Sequence, residues 1–106
     1  MLVFFTGGDV VRAKAEAQKR AQGSAVVRLG EGGEPFQNLA GYLGQRGMFV
    51  STVTVVLDRP LADAETKEFI FENGQALVDS ETLVIAIEPD LGAVDAKKLP
   101  KGTEIE

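Results

Sequence analysis

Two side chains that carry much of enzyme chemistry are missing from this sequence: it has no cysteine and no histidine. Without cysteine there is no disulfide framework and no thiolate chemistry. Without histidine the usual general base near neutral pH and the commonest metal ligand are gone, and no Ser-His-Asp set can form. Positive charge is scarce as well. Eleven Lys and Arg stand against sixteen Asp and Glu, and the net charge of −5 argues against bulk electrostatic attachment to nucleic acid. Long hydrophobic runs are absent too. Met1-Leu2-Val3-Phe4-Phe5 stops at Thr6-Gly7-Gly8, far too short for a signal peptide or a membrane span, and no basic region precedes it. The expected compartment is the cytoplasm, with no membrane partner. What remains is 106 residues, 44% hydrophobic and 25% charged, the composition of one ordinary globular domain.

The stretch Gly41–Pro60 organises the chain. Thr52 to Leu57 is nearly unbroken apolar and β-branched, the pattern of a strand buried on both faces. Just before it, Gln45-Arg46-Gly47-Met48-Phe49 sets two large apolar residues where a helix is ending. Such a tip is a place where folds keep binding function. Core closure by Met48 and Phe49 beneath the strand is the alternative.

Around this stretch, strands and helices alternate. Leu2–Phe5 reads as a first strand and Thr6-Gly7-Gly8 as a turn, with Asp9 as the N-cap of a helix over Val10–Gln22. Val10, Ala13, Ala17 and Ala21 form a narrow small-residue stripe on that helix, and Gly23 closes it. Ser24–Leu29 reads as a second, shorter strand. Glu34-Pro35 then starts a helix whose buried face is Phe36, Leu39, Ala40 and Leu43, fraying by Gly47. The strand Ser51–Leu57 ends at Asp58-Arg59-Pro60. Asp63 caps a third helix from Ala64 to about Val78, with Phe69, Ile70, Ala76 and Leu77 inward and Gly74 interrupting it. Thr82–Ile87 is a fourth strand. Ala93–Leu99 allows one or two helical turns, and Thr103–Glu106 starts a fifth strand. The order predicts a three-layer α/β sandwich, a mostly parallel sheet of four or five strands with helices on both faces, in a single domain over residues 1–106.

The opening strand, glycine turn and helix invite a nucleotide reading, but neither G-x-x-x-x-G-K-[ST] nor G-x-G-x-x-G is present. Asp9 also puts negative charge where a phosphate would sit, at the helix N-terminus. The strand-end carboxylates Asp9, Asp58, Glu88 and Asp90 would gather at the carboxyl edge, where open α/β sheets bind ligands. A receiver-like regulatory domain, with Asp58 as phosphoacceptor and magnesium held by paired acids, is one reading of that edge. Its pattern is incomplete: Gly8-Asp9 supplies a single acid, and Glu88-Pro89 has no hydroxyl. The chain therefore reads as non-enzymatic, with no catalytic residue, no cofactor and no metal ligand assigned.

In order, these features resemble the N-terminal domain of the δ subunit of the bacterial DNA polymerase III clamp loader. Phe4-Phe5-Thr6-Gly7-Gly8-Asp9-Val10-Val11-Arg12 is similar to that family's opening strand, acidic turn and helix with its arginine. Gly47-Met48-Phe49-Val50-Ser51-Thr52-Val53-Thr54-Val55-Val56-Leu57 is similar to its apolar tip and following strand. Asp79-Ser80-Glu81-Thr82-Leu83-Val84-Ile85-Ala86-Ile87-Glu88 is similar to its next strand, and Val94-Asp95-Ala96-Lys97 to the step after it. The resemblance implies a degenerate P-loop ATPase-like (AAA+ type) fold that grips the sliding clamp during DNA replication, with other clamp-loader subunits as further partners. It implies Gln45, Met48 and Phe49 as the clamp-binding residues, since Gln45-Arg46-Gly47-Met48-Phe49 fits the Gln-x-x-[Leu/Met]-Phe pattern of clamp-binding peptides. Arg46 and Gly47 depart from the usual residues before the tip. The family's lid and collar domains have no counterpart here, so the expectation is a truncated or stand-alone relative that binds a clamp without assembling a conventional loader.

Overall fold

The structure, a computed structural model, describes residues 1–23, 25–30, 33–39, 53–80 and 82–106. Five strands are present among them: β1 (Leu2–Phe5), β2 (Ala25–Leu29), β3 (Val53–Asp58), β4 (Leu83–Ile87) and β5 (Glu104–Ile105). They form one sheet in the order β2-β3-β4-β1-β5, and every pairing is parallel. The apolar runs fall at its centre. All of β1 is buried, as are Thr54–Leu57 of β3 and Val84–Ile87 of β4. Parallel strands covered on both faces need such runs rather than alternation.

The connections decide which face each helix covers. From β1 the chain crosses over β4 and β3 to the far edge strand β2; every later connection runs the opposite way. Crossovers of one hand that run in opposite directions land on opposite faces. Helix α1 (Val10–Arg20) accordingly packs on one side against Val3, Phe5, Val56, Ile85 and Ile87. Helices α2 (Ala64–Glu72) and α3 (Gly74–Asp79) pack on the other, where Ile70 and Leu77 meet Leu2, Phe4, Val55, Leu57 and Val84. Helix α4 (Ala93–Lys98) buries no residue of its own; Leu99 after it adds to the second cluster, and Lys67 of α2 pairs with its Asp95 at 3.3 Å.

Both expected caps form. Asp9 accepts from the Arg12 amide at 2.9 Å, and Asp63 accepts from the Thr66 amide at 3.0 Å and the Thr66 hydroxyl at 2.6 Å. Three expectations need correction. The first helix ends at Arg20, not Gln22, with Ala21 as its C-cap. The stretch after Glu34-Pro35 opens as a 3-10 turn, Phe36–Asn38, before Leu39. The helix expected from Ala64 to Val78 is two helices meeting at Asn73. Gly74 lies beneath Pro100 there, and a Cβ on it would come within 2.6 Å of the proline ring. The break also turns Ala76, expected inward, out to solvent.

Candidate functional site

The expected grip residues Gln45, Met48 and Phe49 lie outside the described residues. The described chain leaves toward them at Leu39, which is buried against the α2 side of the sheet, and resumes at Val53, the first residue of β3. Beside the departure point, Phe36, Leu39 and Phe69 line a cleft of about 150 Å³, with Asp63 and Glu65 at its wall.

The other candidate is the carboxyl edge of the sheet. Neighbouring strands β1 and β4 send their connections in opposite directions, so the crevice between their ends is the topological switch point, where open α/β sheets bind ligands. In this chain the crevice is laced by the protein's own groups. The Glu88 amide donates to the Phe5 carbonyl at 2.9 Å and the Gly7 amide to the Pro89 carbonyl at 3.1 Å; next to it, between the ends of β3 and β4, the Arg59 amide donates to the Ile87 carbonyl at 3.0 Å. The turn after β1 thus spends a backbone donor internally, and Asp9 occupies the start of α1.

Glu88 is the buried acid of this edge, 8% exposed. Its side chain accepts from the Leu61 amide at 3.1 Å, at the start of the 3-10 turn Pro60–Ala62. Proline at that turn's first position has no N–H, so Leu61 carries its first free donor, and Glu88 satisfies it. Burial pushes the Glu88 carboxyl above the usual glutamate range. The Leu61 hydrogen bond and the nearby Arg59 charge pull it down, while Asp95 and Asp58 push it up. Arg59 holds the left-handed conformation, φ 52° and ψ 55°, the one described non-glycine residue with positive φ. That backbone is strained. Pro60 beyond it disfavours the right-handed helical region for Arg59.

The four strand-end carboxylates do not converge. Asp9 and Asp90 are exposed, Asp58 is half-buried, and Glu88 is turned to Leu61. Among the described residues no three acidic side chains gather closely enough to hold a metal ion. The strand order also differs from the flavodoxin-like 2-1-3-4-5 order of receiver domains, which places β1 next to β2. Glu88 is legible in the sequence as a strand-end acid, but its capping role and the conformation of Arg59 are not. The Asp58-Arg59-Pro60 and Glu88-Pro89 steps signalled turns, but not that one turn would dock on the other. No helix among the described residues is long and apolar enough to cross a membrane. Comparison with family models, with curated proteins and with solved structures finds no match for this chain.

Proposed function

We propose that this chain is a non-catalytic, clamp-loader δ-like module that binds the sliding clamp of DNA polymerase, on a degenerate P-loop ATPase-like (AAA+ type) domain. The supporting observation is the turn after β1. It follows an inner strand at the switch point, the position where a nucleotide phosphate would be cradled. Yet its Gly7 amide is spent on Pro89 and its helix start is occupied by Asp9. On this reading the turn is a phosphate-cradling opening closed by the chain's own groups. The strand order weighs in the same direction, because it separates the chain from the receiver-like alternative.

On this reading binding rests on Gln45, Met48 and Phe49. Two apolar side chains seated in a hydrophobic pocket of the clamp contribute about 1.5–3 kcal/mol each when fully buried. The glutamine adds directional hydrogen bonds at the rim. The test is calorimetric titration of a bacterial sliding clamp with the chain and with its Met48→Ala/Phe49→Ala double variant. Binding that disappears in a variant of unchanged circular dichroism and thermal midpoint is the expected result. Absence of binding by the unsubstituted chain at several hundred micromolar, where a hot-spot contact would register, overturns the proposal.

A further inference from the structure

A second cavity, of about 170 Å³, lies on the α1 side of the sheet at the carboxyl ends of β2 and β3. Its lining is mixed: Ala17, Val26, Leu29, Val56 and Ile87 are apolar, and Gln18 joins the charged residues beside them. A cavity of about 150 Å³ is large enough for benzene, so a branched aliphatic group or a single ring matches this space in size. Its mouth is charged with both signs. Lys14 comes from α1, Arg28 from β2 and Asp58 from the end of β3. Arg28 and Asp58 point to the same face of neighbouring strands, because Arg28 is in register with Val56, two residues before Asp58. None of the three forms an ion pair among the described residues. Two cations and one carboxylate beside the apolar residues, with no close ion pair among them, complement a ligand that carries both charges and an apolar body.

We propose that this cavity binds an apolar α-amino acid. The ligand carboxylate lies toward Arg28 and Lys14, its ammonium toward Asp58, and its side chain on Val26, Val56 and Ile87. The proposal is independent of clamp binding, since none of these residues belongs to the segment 45–49.

The test is an NMR titration of the isotope-labelled chain with leucine, with 4-methylpentanoate, which lacks the ammonium, and with 3-methylbutylamine, which lacks the carboxylate. Leucine is expected to shift the Val26, Val56 and Ile87 amides saturably, with a dissociation constant of about 1 mM or tighter and each analogue weaker by about tenfold or more. Arg28→Gln, Lys14→Gln and Asp58→Asn each replace a side chain that is exposed or half-buried, so the fold is retained. Each should weaken leucine binding by roughly tenfold with the remaining spectrum unchanged. Shifts that do not saturate overturn the proposal. So does either analogue binding as tightly as leucine, or variants that bind leucine as the unsubstituted chain does.

Discussion

The two halves of the carboxyl edge differ in what satisfies them. Around the end of β4, backbone donors from the turns after β1 and β3 are consumed by the chain itself: Gly7 by Pro89, Arg59 by Ile87, Leu61 by the buried Glu88. At the β2–β3 end, Lys14, Arg28 and Asp58 surround a cavity without forming an ion pair among the described residues. Both halves terminate the same parallel sheet, so the sheet alone does not make a site. A buried polar group left without a partner costs about 1–3 kcal/mol, and the switch-point crevice meets that demand with its own turns. At the other half Lys14 and Arg28 are exposed and Asp58 is half-buried, so their charges carry less of that cost without a close protein partner.

Two glycines at the ends of that edge give the largest expected contrast. Gly30, after β2, has φ +114°, and a Cβ there would stand 2.9 Å from the Asp58 carbonyl oxygen and 2.9 Å from the Phe36 ring. Gly7, after β1, has φ +108° but nothing within 4 Å of the same added atom. Gly30→Ala combines backbone strain with a backbone clash and should cost about 2–4 kcal/mol in urea unfolding. Gly7→Ala carries strain alone, about 1–2 kcal/mol. Equal losses would show that the open half is no more tightly built around its turn than the closed half.

Glu88 gives the next effect. Glu88→Ala leaves the Leu61 amide without its acceptor and should destabilise by about 1–3 kcal/mol, whereas Glu88→Gln keeps an oxygen there and should cost less than about 1 kcal/mol. The pH dependence has a defined sign. The Glu88 carboxyl is raised by burial, so the folded protein holds this proton more tightly than the unfolded chain does. The Glu88 contribution is fully present below the ordinary glutamate value and is lost as pH rises through the raised folded-state value. Thermal midpoints measured across that window should fall for the unsubstituted protein and stay flatter for Glu88→Gln. Parallel profiles would place the titration elsewhere.

The smallest effect belongs to the β5 edge. Arg20 of α1 pairs with Glu104 and Glu106 and lies 5.5 Å from the centre of the Phe5 ring. These groups are largely open to solvent, so Arg20→Gln should cost only about 0.5–1 kcal/mol, and less in high salt. A larger loss would mean that β5 needs this clamp to stay paired with β1.

Much of the architecture is legible in the sequence. Apolar β-branched runs mark β1, β3 and β4 because strands buried on both faces tolerate little else, and the aspartates before Val10 and Ala64 mark helix starts because free amides there need acceptors. The break at Asn73 was not legible, since it depends on Pro100 lying over Gly74, a contact between residues far apart in the chain. The short pattern at Gln45, Met48 and Phe49 suggests a grip, on residues outside those described, and the carboxylates at the strand ends were legible as types.

The sequence by itself determined the alternation of elements, the parallel class of the sheet and the absence of thiol and imidazole chemistry. Each follows from local composition and spacing. Only the tertiary structure decided that β1 lies between β4 and β5, that Glu88 serves Leu61, and that Lys14, Arg28 and Asp58 share one cavity. Those facts depend on the order in which strands pair, and pairing order is set by the packing of distant segments rather than by any residue's neighbours in the chain.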